Sequence, residues 1–418
     1  MGMESKEAKQ PTKFFGLSKN VISMGVVSFL NDLSSDMIFP YIPIFLTSVL
    51  GASATFVGIV EGVAEATASA LKAVSGRISD RVHRRKPLIV FGYSLSAISK
   101  PLLSLAGAPW HVLVVRFFDR VGKGSRDAPR DALLSVSTKH RVIGRAFGFH
   151  RTADTMGAAL GPIIAFLILP LIDNNLRTLF LLSFIASFFA VLLIVFFVKE
   201  VKDGEVAKAP SDYSEGVAKK QKFHLGSLGL PFMLFLGVST LFSLGKVSEA
   251  FLLLRAKDIG IALAFLPLLY FVYNITLALL STPAGILSDK IGHRNTFMIG
   301  MAIFALTYYL FSTVTSDGLA IWLLFALLGL YAALTEGIGR AIVVGLVDVE
   351  HRATASGVYH AFTGLAALPA GVIFGVLWDR FGAAASFQYG AVLALVSLFV
   401  FIILRFSFPY KVYHAQEG

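Results

Sequence analysis

The chain has 418 residues, 56% of them hydrophobic and only 15% charged, with 37 Lys and Arg against 26 Asp and Glu for a formal net charge of +11. A mean hydropathy of +0.73 exceeds what a water-soluble domain hides, so the composition makes a lipid bilayer the solvent. The absence of cysteine excludes a disulfide, a thiolate metal site and a thiol nucleophile, and basic residues confined to short segments between apolar runs argue against nucleic acid as a partner.

Apolar runs of roughly 20 residues, the length that crosses about 30 Å of hydrocarbon, predict helices near 20–48, 55–80, 87–107, 110–136, 143–171, 176–198, 228–255, 262–288, 295–315, 319–346, 353–378 and 384–406. Asn31, Asp32 and Asp36 follow the start of the first run and no small-residue cleavage site appears, so it reads as a membrane helix and not as a signal peptide. Between Lys199 and Gly226 the chain is polar and carries Gly204, Pro210 and Ser211, the composition of a linker. The expected organisation is an N-terminal segment 1–19, a bundle 20–198, a linker 199–226, a second bundle 227–406 and a tail 407–418. The expected fold is an all-α membrane protein of twelve transmembrane helices in two six-helix bundles. Lys6, Lys9, Lys13 and Lys19 precede the first run, and Arg81, Arg84, Arg85 and Lys86 follow the second. Lys139, Arg141 and Arg145 follow the fourth, and six lysines lie between 199 and 222, whereas 51–55 and 107–109 carry no basic residue. The positive-inside rule then places both termini in the cytoplasm and the protein in the cytoplasmic (inner) membrane.

A motif recurs at the end of the second and eighth runs: Gly76-Arg-Ile-Ser-Asp80-Arg-Val-His-Arg-Arg85 and Gly285-Ile-Leu-Ser-Asp289-Lys-Ile-Gly-His-Arg294. Its parts have a physical use: Gly allows close helix approach, Asp suits a neighbouring helix N-terminus, and the basic residues pair with acids or lipid headgroups. Both copies resemble the loop signature of the major facilitator superfamily. Arg120-Val-Gly-Lys-Gly124 is similar to that family's Arg-x-x-x-Gly motif, and Gly148 with Gly157-Ala-Ala-Leu-Gly161-Pro162 resembles its antiporter signature, with Ala165 and Phe166 where a double Gly would follow. The resemblance spans the chain and implies two bundles rocking about a central cavity lined by the first, fourth, seventh and tenth helices.

Ionisable residues inside spans are costly and mark function by default. The fourth run holds Arg116, Asp119, Arg120, Lys123, Arg126, Asp127, Arg130 and Asp131, all within an arc of about 140° at roughly 100° per residue. That face meets protein or water, as a functional surface or as an internal salt-bridge ladder. Arg116 and Arg120 are its deepest members, while Asp127 and Asp131 are expected to latch onto Arg81 or Arg84 as part of a gate with Gly76, Asp80, Gly285, Asp289 and Arg294. Asp32 and Asp36 share one face of the first helix. The resemblance places them with Arg116 and Arg120 around the cavity, as coupling or substrate residues or as a packing pair. His150 and Asp154, in line with Gly157 and Gly161, fit a hydrogen-bonded helix seam, a proton relay, or a metal site completed by Asp32 or Asp36. No metal site is assigned. Glu61, Glu65, Lys72 and Lys100 read as structural. Lys246 and Glu249, and Glu336 and Arg340, have the spacing of internal pairs, although Glu336 and Arg340 lie on a cavity helix.

Gly122-Lys-Gly-Ser125 lacks the upstream glycine of a phosphate loop, and His-Glu-x-x-His and Gly-x-Ser-x-Gly are missing, so no enzyme is expected. The resemblance implies a proton-coupled carrier without cofactor, monomeric, with protons, membrane lipid and a small molecule as partners. An anionic or zwitterionic solute suits the arginines. Export of drugs, cations or a transition metal by proton antiport, and a sensor that binds without transport, are the alternatives.

Overall fold

The computed structural model describes residues 17–82, 85–138, 142–201, 228–316, 318–348 and 351–407. Among the described residues, twelve long helical segments follow one another: α1 Lys19–Ile38, α2 Ala54–Val82, α3 Lys86–Ser104, α4 Pro109–Val136, α5 Ile143–Ile168, α6 Leu176–Phe197, α7a Leu230–Gly245 with α7b Glu249–Asp258, α8 Leu266–Ile291, α9 His293–Thr313, α10 Leu319–Gly345, α11a Arg352–Leu365 with α11b Ala367–Phe381, and α12 Ala383–Ser407. The termini and nearly all of the expected linker lie outside the described residues.

Local chemistry sets where these helices start and bend. Ser18 and Asn175 accept hydrogen bonds from first-turn amides of α1 and α6, and proline occupies the first turn of α3, α4, α7a and α8, where its missing N–H costs nothing. After Ile38 the first segment passes through a 3-10 turn at Phe39–Tyr41 and a π turn at Phe45–Val49, because Pro40 and Pro43 break the regular ladder. Pro369 does the same to the eleventh segment, which restarts at Ala367. The seventh breaks at Lys246–Ser248, where Ser248 caps α7b by accepting from the Ala250 amide.

Among the described residues, ten of the twelve segments are long and apolar enough to cross a membrane by length and composition. The exceptions are α3 and α4. Lys86 and Lys100 dilute the first, and the second carries eight ionised side chains. Both are held inside the first bundle, α4 between α2 and α3, so neighbours rather than lipid cover their polar faces.

Within the first half α1 packs on α5 and α6 and α3 on α4 and α6; within the second, α9 packs on α10 and α12 and α8 on α10. The halves meet through α2 against α11 and α5 against α8. One large buried core crosses that boundary at the face opposite the start of α1, joining Tyr41, Phe45 and Phe180 to Phe251, Phe374 and Phe387. A second core, with Val21, Ile89, Leu133 and Ile194, belongs to the first half alone at the other face. The halves are thus fused at the far face and separate towards the near one. Exposed Phe188, Phe196, Leu279, Val392 and Phe399 on the perimeter suit acyl chains.

The α1–α5 seam is backbone on backbone. A methyl at Gly161 would lie 2.6 Å from the Leu33 carbonyl oxygen and 2.8 Å from the Met37 nitrogen, and Gly157 meets Phe29 and Leu33 in the same way. Pro162 is buried beside them. Gly148 and Gly285 differ, since a methyl there meets nothing within 4 Å, which corrects the idea that they serve close helix approach in this conformation. Gly161→Ala is expected to cost about 1–3 kcal/mol through overpacking and to lower the unfolding temperature in detergent, whereas Gly148→Ala leaves it unchanged. Equal effects of the two substitutions would count against this seam.

Candidate functional site

Between the halves lies a cavity of about 460 Å³, walled by α1, α2, α3, α4, the α7 break, α8 and α11. Five of these walls contribute charge, each for a local reason, and α8 and α11 contribute none. Helical spacing brings Asp32 and Asp36 of α1 to it, and Arg116, Asp119, Arg120, Lys123 and Arg126 of α4. The α7 break brings Lys246 and Glu249, while α2 presents Glu61 and Glu65 and α3 presents Lys100. Asp32, Asp36, Glu61, Glu65, Asp119 and Glu249 are six acids, and Lys100, Arg116, Arg120, Lys123, Arg126 and Lys246 are six bases, so the formal charges cancel.

The best-defined pair joins Arg116 to Glu61. Both are more than nine-tenths buried, and Arg116 Nη2 donates to the two carboxylate oxygens at 2.9 and 3.0 Å. Ser248 donates to Glu61 Oε2 at 3.3 Å, so this carboxylate links α4 of one half to the broken α7 of the other. Asp119 lies 3.7 Å from Arg116 and 3.8 Å from Arg120. Arg126 donates to Ser96 Oγ at 2.9 Å and stacks on the Tyr93 ring at 4.1 Å. The Lys100 ammonium donates to Ser187, which donates to Ser34 at 2.7 Å, a hydroxyl chain that carries the charge into α6 and α1.

The structure brings Asp32, Asp36, Arg116 and Arg120 to one wall. His150 and Asp154 sit behind it. Asp154 accepts from Ser28 at 2.5 Å and lies 3.6 Å from Arg151, and its carboxyl group is within hydrogen-bond reach of Asp32 across the α1–α5 seam. Ser28 therefore takes the place expected of His150, which is buried with its Nε2 unpartnered among the described residues. The metal alternative finds no cluster of three His, Asp or Glu side chains among the described residues. Glu336 and Arg340 stand exposed on α10 and are not among the residues lining the cavity; Lys246, which lines it, reaches Glu336 at 4.0 Å, and Arg340 donates to the Glu336 carbonyl. The expected internal pair of Lys246 with Glu249 is replaced by this contact, since the break at Lys246–Ser248 takes the two residues off a common helix.

At the near face, Asp127 and Asp131 both pair with Arg130 of their own helix, at 3.6 and 3.0 Å; the pairing expected with Arg81 or Arg84 falls outside the described residues. Arg84, the side chains of Asp80 and Arg81, and the surroundings of Gly76 lie outside what is described. Asp289 is exposed, and Arg294 lies beside a small apolar pocket between α7a and α12.

Glu61, Glu65, Lys100 and Ser248 are the site residues that sequence spacing missed. Glu61 and Glu65 have neighbours at helical spacing that make a local explanation sufficient, although a glutamate deep in a span is itself the signal. For Ser248, the run Gly245-Lys246-Val247-Ser248-Glu249 carries a helix stop followed by a cap and a first-turn acid, the marks of a break.

Helical bundles enclosing a polar, charge-lined cavity, with ten apolar spans, define an integral membrane protein built to admit a solute. The family model of the Major Facilitator Superfamily matches residues 24–253 and 232–416, and the chain belongs to that superfamily as a membrane transporter. It is 37% identical over 389 residues to the uncharacterized MFS-type transporter MJ1317 of Methanocaldococcus jannaschii, covering 91% of this chain and 94% of that one. Multidrug resistance protein MdtH of Photorhabdus laumondii is 30% identical over 158 residues, 38% of this chain and 37% of its own. Among solved structures, the nucleoside transporter NupG superposes with a TM-score of 0.73 at 15% identity, covering 94% of this chain and 100% of that one. A POT family transporter in complex with 5-aminolevulinic acid does so with 0.76 at 17%, covering 94% and 96%. These two likenesses concern the fold.

Glu61→Gln takes from buried Arg116 its hydrogen-bonded counter-charge and leaves Asp119 at 3.7 Å; it is expected to cost about 3 kcal/mol, the low end for a broken buried pair, read as a fall in unfolding temperature. Adding Arg116→Gln should restore most of the loss. A double variant as unstable as the sum of the singles would show that the two side chains are not coupled.

Proposed function

We propose that this transporter is a proton-coupled carrier of a small zwitterionic or anionic organic solute, working by alternating access in the cytoplasmic membrane with both termini inside. The observation that carries the proposal is the cavity between the halves, lined by six acids and six bases. A wall of zero net charge suits a solute that brings both signs, because each substrate charge takes over a partner that an internal pair releases. Guanidinium groups of Arg116 and Arg120 offer planar donors to a carboxylate. Protonation of Asp32 or Asp36 leaves the wall with one excess positive charge, which favours an anionic group, and this provides the coupling. Fusion of the halves at the far face and their separation at the near one support an inward-facing state, with Asp80 and Asp289 serving the near gate. Proton antiport that exports a cationic or apolar drug is the second reading, favoured by the partial likeness to MdtH.

Purified protein in proteoliposomes with an imposed pH gradient, offered amino acids and short peptides, organic anions, cationic dyes and divalent metals, tests both readings. Proton-driven accumulation of a zwitterion or anion is the expected result. Accumulation of cations alone, opposite to the proton flow, selects the exporter, and no flux of any solute in either direction refutes the carrier. Asp36→Asn is expected to abolish flux driven by the gradient while membrane insertion stays normal. Wild-type driven flux in that variant would remove Asp36 from the coupling step.

A further inference from the structure

The eleventh segment ends in Gly375-Val-Leu-Trp-Asp379-Arg-Phe-Gly382. The spacing matches Gly285-Ile-Leu-Ser-Asp289-Lys-Ile-Gly292, residue type for residue type at glycine, aspartate, base and second glycine. The local structure matches as well. Gly382 and Gly292 both end their helices in the left-handed region, with φ of 85° and 91°, and their amides return to Trp378 and Ser288 at 2.9 Å. The third copy therefore holds its aspartate in the last helical turn, as the second does, but at the opposite face of the membrane domain.

There Asp379 closes the boundary between the halves. Its carboxylate accepts from the Ala54 amide at 2.9 Å, the Thr55 amide at 2.8 Å and the Thr55 hydroxyl at 2.5 Å. Ser53 accepts from the Phe56 amide at 3.2 Å and the Val57 amide returns to the Ser53 carbonyl, so the four leading donors of α2 are all satisfied, two of them by the other half of the molecule. The negative charge also faces the positive end of the α2 dipole. Gly375 makes the approach possible, since a methyl there would lie 2.6 Å from the Ala54 oxygen and 2.8 Å from the Thr55 nitrogen. At the near face the corresponding glycine is disengaged: Gly285 has nothing within 4 Å of an added methyl, whereas Asp289 and Asp379 are alike in being exposed.

We infer that Asp379 is the latch of the far gate: in each turnover its cap on α2 must break for the cavity to open to the side opposite the chain termini. This rests on the alternating-access reading above. The latch adds no substrate contact. It sets how often the far side is open.

Because the chain has no cysteine, a single Ser35→Cys on the cavity wall reports access without any background. Full-length protein is labelled with a membrane-impermeant maleimide, from outside in intact cells and from the cytoplasmic side in inverted vesicles. Asp379→Asn keeps the size of the side chain but removes the charge and one acceptor, and it should raise the ratio of outside to inside labelling by about tenfold, the scale of one lost helix cap. Gly375→Ala should move the ratio in the same direction, and it decides the matter if Asp379→Asn fails to reach the membrane. An unchanged or lowered ratio in the folded variant, with the parent protein labelled from both sides, overturns the latch and leaves the carrier intact. Labelling from one side only in every variant overturns both.

Discussion

Six acidic and six basic side chains face one cavity, and each held there alone would cost several kcal/mol in lost hydration. The first bundle is arranged so that none of the well-placed ones is alone. Arg116 is answered by Glu61 from α2, Arg120 by Asp119 from its own helix, Arg126 by the Tyr93 face and a serine, and Lys100 by a relay of hydroxyls. This need explains why α3 and α4 are too polar to count as spans by themselves. Their polar faces turn into the bundle, while Phe91, Ile98, Trp110 and Phe118 on their other faces are exposed. It also explains why a glutamate on α2 reaches a serine on α7: the pairing does not stop at the boundary between the halves.

The second half is organised by different forces. Phe242, Phe304, Tyr308, Tyr331, Phe374 and Phe387 form a continuous aromatic network, with ring centroids such as Phe304 and Tyr308 only 3.9 Å apart. Its charged contribution to the cavity comes from the α7 break, where Lys246 and Glu249 emerge. An electrostatically specified half thus faces an apolar, shape-specified one. Since the aromatic core reaches across to Phe45 and Phe180 at the far face, apolar burial and the Asp379 cap act on the same closed end.

Much of this was legible in the sequence. Helix positions came out within a few residues, because apolar runs of bilayer length admit few readings, and the arc of charges on α4 marked the face that lines the cavity. Spacing put Asp32 and Asp36 on one face of α1, and the family resemblance turned that face to the cavity. What spacing along one helix does not reveal is the partner on another. Glu61 reads as neighbour to Glu65 until Arg116 is seen opposite it, and Asp154 reads as partner to His150 until Ser28 is seen closer. Breaks were lost as well, since an apolar run continues through Lys246–Ser248 while the hydrogen-bond ladder does not. The third copy of the loop signature was hidden by position: motifs of this kind are sought at loops rich in base, and Asp379 ends its helix at the other face.

The α2–α11 boundary lines up Gly58 with Gly371, Gly62 with Leu368 and Gly375 with Thr55, main chain against main chain over about two turns. Interlocked side chains would have to change rotamer for one helix to move past the other, as ridges leave grooves. Surfaces stripped to the backbone have little to unlock. The two halves therefore meet there on a smooth surface with few interlocked side chains, and the hydrogen bonds to Asp379 that join them stand at its end and not along its length.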